Sequence, residues 1–401
     1  MNQPAPQFDP IADARAHFPG TERWTYLDLG GRGMLSKEVR AAIDTQLDDH
    51  MFNGGNKDFM FQRTRETREL FAKLIHAAPE DIAYTKNISD GLNMVAAAFD
   101  WKPGDNVIVC ADLEHPNNLY PWLNQQRRGL TVKLIKHRDG HMPVDEMIAA
   151  IDDKTRVLTA STVSFSPGFR TDIDRLGRAC RERDVLFLVD AAQSAGVVDI
   201  DVVQSQVDAL SVSTQKGLLA LYGMGFLYVR KEWAERMHPA YLARFGVDLG
   251  DAHESEGGGT QYALMPGAHR FDLGNYNYVA IVAAHAALGN LLRLGVHNIE
   301  AHTTRLGHAL SRGLIELGLP VCGGNPGPHI AHTVTVGDFG SGSDKYTSNE
   351  TINGLYQHFV DNKVKLSMRR GVLRFSLHVY NNLADVERVL ELSRGFLKRG
   401  G

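Results

Sequence analysis

From about residue 80 the chain alternates short apolar runs with amphipathic stretches. The runs at 81–86, 106–111, 131–136, 156–161, 185–190, 208–213 and 225–230 read as strands. Several are flat apolar runs without polar alternation, the pattern of strands covered on both faces. Helical periodicity falls between many of them. At 172–183, for example, Ile173, Leu176 and Cys180 share one face. This alternation predicts an α/β fold built on a doubly wound sheet. Such sheets bind ligands beyond the carboxyl ends of their strands.

A long, mostly apolar helix is predicted at 278–292, either linking two domains or lying on a subunit interface. Beyond it the pattern changes. A helix at about 300–317, an extended segment at 331–336, a helix at 348–362, a strand at 372–376 and a closing helix at 383–398 make a smaller α+β domain. The most loop-like stretch is 340–344. The expected division is an N-terminal segment 1–24 packing on the small domain, a large domain 25–275, a linking helix 276–300 and a small domain 301–401.

Length agrees with that division, since 401 residues are too many for one simple core. With 43% hydrophobic and 22% charged residues, the composition is that of an ordinary globular protein. The near balance of 43 basic and 47 acidic residues argues against nucleic acid or an anionic membrane as partner. Residues 1–6 lack the basic region and apolar core of a signal peptide. No apolar run reaches the ~18 residues of a membrane span. Cys110, Cys180 and Cys322 are far apart and show no metal spacing, so no metal site is expected. They fit a reducing compartment, and a cytoplasmic location is expected.

Candidate chemistry gathers at the predicted strand ends. Lys216 sits in Ser213-Thr214-Gln215-Lys216-Gly217, behind the stretch that runs from Val185 to Asp190. The pair looks like a pyridoxal phosphate site: a lysine able to form a Schiff base, and an aspartate able to keep the pyridine nitrogen protonated. Taken alone, such a lysine is more often a surface residue on a turn. The glycine-rich apolar surroundings and the upstream aspartate reverse those odds. Asp190 ends an otherwise apolar strand, where a carboxylate is costly to bury unpaired; the bland alternative is a helix N-cap. Gln193 could donate to the cofactor's phenolic oxygen. The segment from Asn87 to Asn93, with Ile88 and Ser89, opens a helix whose free N–H groups favour a phosphate, though plain capping explains it equally. His115 could stack on the cofactor ring and move protons, or be an ordinary loop histidine. The planar fork of Arg374 suits a substrate α-carboxylate, or a structural salt bridge.

Taken in order, these residues resemble the class V aminotransferase family. This is the fold-type I branch that includes cysteine desulfurases, selenocysteine lyases and isopenicillin-N-epimerase-like enzymes. The resemblance runs from Tyr26-Leu27-Asp28 to the Arg374…Tyr380-Asn381 element. It includes Glu114-His115 with Pro121-Trp122, Asp190 to Gln193, and Ser213 to Lys216. It implies a pyridoxal 5'-phosphate (PLP)-dependent enzyme with a large doubly wound mixed sheet and a smaller α+β C-terminal domain. By position it implies Lys216 as the Schiff-base lysine, Asp190 on the pyridine nitrogen, Gln193 on the phenolic oxygen and His115 on the ring face. Ser89 and Ser213 would bind the phosphate, with Ile88, Gln215 and Asn275 as further cofactor contacts. Arg374 and Asn118 would bind the substrate. It also implies a homodimer whose active sites share residues across the interface, with Phe271 to Asn275 as the segment that reaches across.

The chain departs from the family in three places. Gln215 stands where desulfurases usually have a histidine, and Asn275 where a threonine is usual. The loop at 340–347 lacks the sulfur-accepting cysteine of a desulfurase. The segment from Val163 to Gly168 is similar to the epimerase-like branch. The expected function is Cα-proton removal from a small or modified α-amino acid, followed by transamination or β-elimination of the C–S lyase type, without persulfide formation. An isopenicillin-N-epimerase-like epimerase or racemase is the alternative, and a non-catalytic PLP-binding protein is a third.

Overall fold

The computed structural model describes residues 11, 13–250 and 261–400. Of the expected N-terminal segment, residues 1–10 and 12 lie outside the described residues, as does residue 401 of the small domain. All seven runs expected as strands lie in one sheet: β1 (Ile82–Thr85), β2 (Asn106–Val109), β3 (Thr131–Leu134), β4 (Thr155–Ser161), β5 (Leu186–Asp190), β6 (Ala209–Ser213) and β7 (Gly225–Val229). Their spatial order is β1-β7-β6-β5-β4-β2-β3. Only β7 runs antiparallel to its neighbours; the remaining pairings are parallel.

The flat apolar runs follow from burial on both faces. In β5, Leu186 and Leu188 enter one core while Phe187 and Val189 enter the other. In β7, Leu227 and Val229 go one way and Phe226 and Tyr228 the opposite way. A strand with period-2 side chains and an apolar layer on each side has no position for an exposed polar residue.

The C-terminal unit has its own core and a three-stranded antiparallel sheet of β8 (Thr333–Val336), β9 (Ser367–Arg369) and β10 (Val372–Ser376), in the order β8-β10-β9. Helices Glu350–Asp361 and Leu383–Lys398 pack with it. The second begins at a capping box in which Asn382 and Asp385 satisfy each other's backbone N–H groups. Thr25–Tyr26 pairs in parallel with Val364–Lys365, and Leu27 lies in the C-terminal core. The backbone groups of residues 25 and 26 thus find their partners on the C-terminal unit. Arg15, from the start of the chain, bonds Asp385 (2.7 Å) and the Tyr380 carbonyl (2.6 Å).

The linking segment expected at 276–300 holds the helix expected at 278–292 and the start of the one expected at about 300–317. Tyr278–Leu294 ends at Gly295, whose φ of 81° breaks the helix, and Val296–Glu316 follows. The two meet at a 75° bend, and among the described residues no single helix is long and apolar enough to cross a membrane. Helices Lys37–Asn53 and Lys57–Leu74, ahead of the first large-sheet strand, pack on Tyr278–Leu294.

Candidate active site

The carboxyl ends of the parallel strands meet at one cavity of about 290 Å³. Ile88 follows β1, Glu114 and His115 follow β2, Ser161 ends β4, Asp190 ends β5, Ser213 ends β6, and Gln215 and Lys216 follow it; each of these lines the cavity. A larger cavity of about 710 Å³, flanked by Arg170, Asp199 and Glu300, contains none of the expected site residues.

Lys216 lies on the loop between β6 and β7. Gly33 N–H donates to the Gln215 carbonyl (2.8 Å), and the Leu219 N–H donates to the Lys216 carbonyl (2.9 Å). A Cβ at Gly33 would come within 2.5 Å of that carbonyl oxygen, so the close approach requires glycine. Burial pushes the Lys216 amine down to about 8, helped by the Arg374 and Arg369 charges and opposed by Asp190. Asp190 is buried and accepts the Ala192 N–H (2.9 Å). Burial raises its carboxyl above the usual range, against that hydrogen bond and the Lys216 charge.

Beside Asp190 lies a second buried carboxyl, Glu114. It accepts the Ser161 N–H (2.7 Å) and hydroxyl (3.0 Å) at one oxygen and the Asn118 amide (2.9 Å) at the other. Ser161 and Asp190 are register partners on adjacent strands. Burial, then the Asp190 charge, pushes Glu114 up to about 7.

His115 accepts the Asn117 N–H at Nδ1 (3.2 Å), which leaves its ring proton on Nε2. The ring lies edge-on to Phe165 at 4.9 Å, and burial beside Lys216 lowers its basicity. Gln193 is buried, lines the cavity and donates to the Gly30 carbonyl (3.3 Å). Ser213 Oγ accepts the Ile88 N–H (2.8 Å), so its own hydroxyl proton is available to a phosphate oxygen.

Other expected residues fall elsewhere. Ser89 is one residue further along the helix Ile88–Ala98 and does not line the cavity; Asn87 caps that helix by accepting the Asp90 N–H (3.0 Å). Asn275 is exposed, with a left-handed φ of 46°, and is outside the cavity of its own chain. Asn118, expected at the substrate, is placed in the interior. It is fully buried, gives its N–H to Glu114 and accepts Trp122 Nε1–H (3.3 Å) and the Thr159 hydroxyl (3.0 Å). Three hydrogen bonds hold its amide inside the fold, and it does not line the cavity. Asn118→Ala is expected to destabilise the protein by about 2–4 kcal/mol, since Glu114, Trp122 and Thr159 would lose buried partners. Chemical denaturation measures this, and KM should stay unchanged.

Arg374 lies behind the wall formed by Gly30 and Phe165. Nη1 donates to the Phe165 carbonyl (3.1 Å), Nε to Ser367 (3.2 Å), and buried Nη2 has no hydrogen-bond partner. A Cβ on Gly30 would meet the guanidinium carbon at 2.7 Å. Arg369, absent from the sequence expectations, lines the cavity itself and is 4.0 Å from Asp344. Only the Arg-Arg-Gly turn signal at 369–371 marks its neighbourhood in the sequence.

The profile of the family described as "Aminotransferase class-V" matches residues 25–389. This chain belongs to the class V aminotransferase family. One relative is the uncharacterized aminotransferase YcbU of Bacillus subtilis, 30% identical over 377 residues, covering 94% of this chain and 95% of the relative. Among solved structures, a cysteine desulfurase from Thermococcus onnurineus NA1 superposes with a TM-score of 0.82 at 24% identity, covering all of both chains. A mutant of C-DES with glycine covalently linked to its PLP cofactor gives a TM-score of 0.82 at 21% identity, covering 94% of this chain and 98% of that one. These two likenesses show the fold-type I architecture.

As a class V enzyme the protein is PLP-dependent, and the donor set fits that cofactor. The cavity offers a partly desolvated amine, a buried carboxylate with one protein donor, an amide from Gln193, and a hydroxyl at a helix start. Among the described residues no cluster of histidine, cysteine and carboxylate side chains could hold a metal ion.

Proposed function

We propose that this class V enzyme removes the Cα proton of a small or modified α-amino acid and completes transamination or β-elimination, without forming a persulfide. One observation carries the last point: none of the three cysteines lines the cavity. Cys110 and Cys180 are buried, and burial raises all three thiols above their ordinary range. A sulfur acceptor needs an accessible thiolate, so these positions do not suit that role.

When bound, PLP supplies an electron sink for the charge left at Cα. Lys216 is the amine that would hold the cofactor's aldehyde, and its neutral form would take the Cα proton. Asp190 would hold a proton on the pyridine nitrogen, and Gln193 would donate to the phenolic oxygen. His115 would cover the ring, and burial beside Lys216 lowers its basicity, which disfavours a competing charge. Ser213 and the Ile88 helix start hold the phosphate. Arg374 binds the α-carboxylate, with Arg369 as a second cation at the cavity wall.

The test is incubation of the holoenzyme with L- and D-amino acids and cysteine conjugates, followed by product mass. A keto acid with cofactor recycling by a second keto acid marks transamination. Pyruvate with a released thiol marks C–S lysis. The opposite enantiomer alone, or a persulfide on the enzyme, would overturn the proposal.

A pH dependence follows from the amine. Lys216 reacts when neutral, and its ordinary value of about 10.4 is brought down to about 8. PLP capture by apoprotein is therefore expected to rise with pH to a plateau above about 8, read by the growth of visible absorbance. A midpoint near the ordinary lysine value would contradict burial of the amine.

The assembly we infer is a homodimer. Asn275 is exposed outside its own cavity, and the exposed apolar Met51 and Phe52 offer surface for a second copy. Sedimentation should give about twice the 44.3 kDa chain mass. A monomer at that concentration would remove Asn275 from the site.

A further inference from the structure

His378 lies outside the cavity, on the turn that follows β10 and its Arg374. It is fully buried, and its hydrogen bonds are specific to one tautomer. The Val379 N–H donates to Nδ1 (2.6 Å), so the ring proton is on Nε2, which donates to the Gly217 carbonyl (2.9 Å). Gly217 is the residue after Lys216. Burial lowers the basicity of the ring to about 4, so it stays neutral and keeps this arrangement.

The turn itself is anchored on several sides. Asn381 accepts the His378 N–H (2.9 Å) and gives its own amide to the Tyr26 carbonyl (2.8 Å) and to Asp385 (3.0 Å). Arg15 bonds the Tyr380 carbonyl and Asp385. The Tyr380 ring stacks on the imidazole at 5.6 Å. On the other side, Gly217 packs tightly enough that an added Cβ would meet the Ala195 carbonyl oxygen at 2.3 Å. The donor is therefore rigid, its acceptor is rigid, and the bond joins the two units. Arg374 is four residues before the donor, and Lys216 is one residue before the acceptor.

We propose that His378 is a positioning residue, whose bond to the Gly217 carbonyl holds the Lys216 loop at a fixed distance from the strand that carries Arg374. The proton-accepting amine and the carboxylate-binding guanidinium come from different units, and a fixed separation lets one substrate engage both. The inference rests on the reading of Lys216 as the cofactor-bonding lysine.

The test compares His378→Asn with His378→Gln. The Asn amide sits near the place of Nδ1 and does not reach Gly217, whereas the Gln amide nitrogen sits near the place of Nε2 and restores the donor. In H378N the holoenzyme should exchange the substrate Cα proton with solvent on the order of tenfold more slowly, with KM within about threefold of wild type, as misplacement alone would produce. The visible band of the cofactor–Lys216 link should also titrate at a higher pH, because a loosened loop admits water. Asp190, Asp28, Arg374, Arg369 and His115 face that amine and are unchanged in both variants. H378Q should return both readouts toward wild type.

Wild-type exchange and an unshifted band in H378N would overturn the proposal. So would a defect in H378Q equal to that in H378N, or loss of the fold in both. A wild-type protein that gains no visible band with PLP would instead sink the reading of Lys216 itself.

Discussion

Lys216→Ala is expected to abolish the visible band that PLP forms with the protein and to lower turnover by roughly 10²–10⁴-fold, the range for removing a positioned acid–base group. Both effects come from one atom. Nζ is the amine in the cavity, and burial brings it down to about 8 so that a useful fraction is neutral near physiological pH. Absorbance titration and single-turnover kinetics check the two effects separately. Gln215 and Ser213 remain in place in this variant, so the apoprotein should still retain PLP weakly through its phosphate. A variant that kept a wild-type band would place the reactive amine elsewhere.

Arg374→Ala should raise KM for α-carboxylate substrates about 10–100-fold while leaving the cofactor spectrum nearly unchanged. Hydrogen bonds to a charged partner are worth about 1.5–3 kcal/mol. The guanidinium is buried, and burial together with Arg369 pushes it down to about 10, opposed by Asp28 and Asp344. Its Nη2 lacks a hydrogen-bond partner, and Asp28 Oδ1, also unpartnered, is 4.0 Å away. A buried donor left open in this way has capacity for a ligand carboxylate. Arg374→Lys should fall between wild type and Ala, since a point charge replaces a planar fork. Arg369→Ala is the control. It lines the cavity and is partly exposed, so its effect on KM should be smaller. If the large change in KM followed Arg369→Ala, with Arg374→Ala altering only stability, the carboxylate site would belong to Arg369.

Several strands were legible because they are flat apolar runs between polar segments, buried on both faces of the large sheet, whereas the edge strand β3 is partly exposed. The run expected at 372–376 is β10 with the same bounds, and the closing helix at 383–398 is Leu383–Lys398. That helix carries its own start signal in Asn382 and Asp385. The helices Lys37–Asn53 and Lys57–Leu74 had no such clarity. In the first, only Val39 and Gln46 are buried, so the apolar period is too weak to announce it. The helices expected at 278–292 and at about 300–317 are Tyr278–Leu294 and Val296–Glu316, and the gap expected between them narrows to the single residue Gly295 because the apolar pattern continues on both sides of it. Sheet order and the single antiparallel strand β7 depend on pairings far apart in sequence, which no local pattern encodes.

Within the site, the residue types at the strand ends were legible: an amine after β6, a carboxylate ending β5 and an imidazole after β2. What could not be read was which polar groups are already satisfied. Asn118 looked available, yet one of its partners, Thr159, lies 41 residues away on β4. Arg369 looked unremarkable, yet the hairpin joining β9 and β10 brings it to the cavity wall.

The sequence by itself thus determined the strand set, the family and the cofactor, because these depend on local periodicity and on residue types in order. Only the tertiary structure decided which side chains spend their hydrogen bonds on one another and which keep an unpartnered donor. That division is set by distances between segments far apart in the chain. The amide of Asn118 is closed by Glu114, Trp122 and Thr159, whereas Arg374 Nη2 is left open beside Gly30.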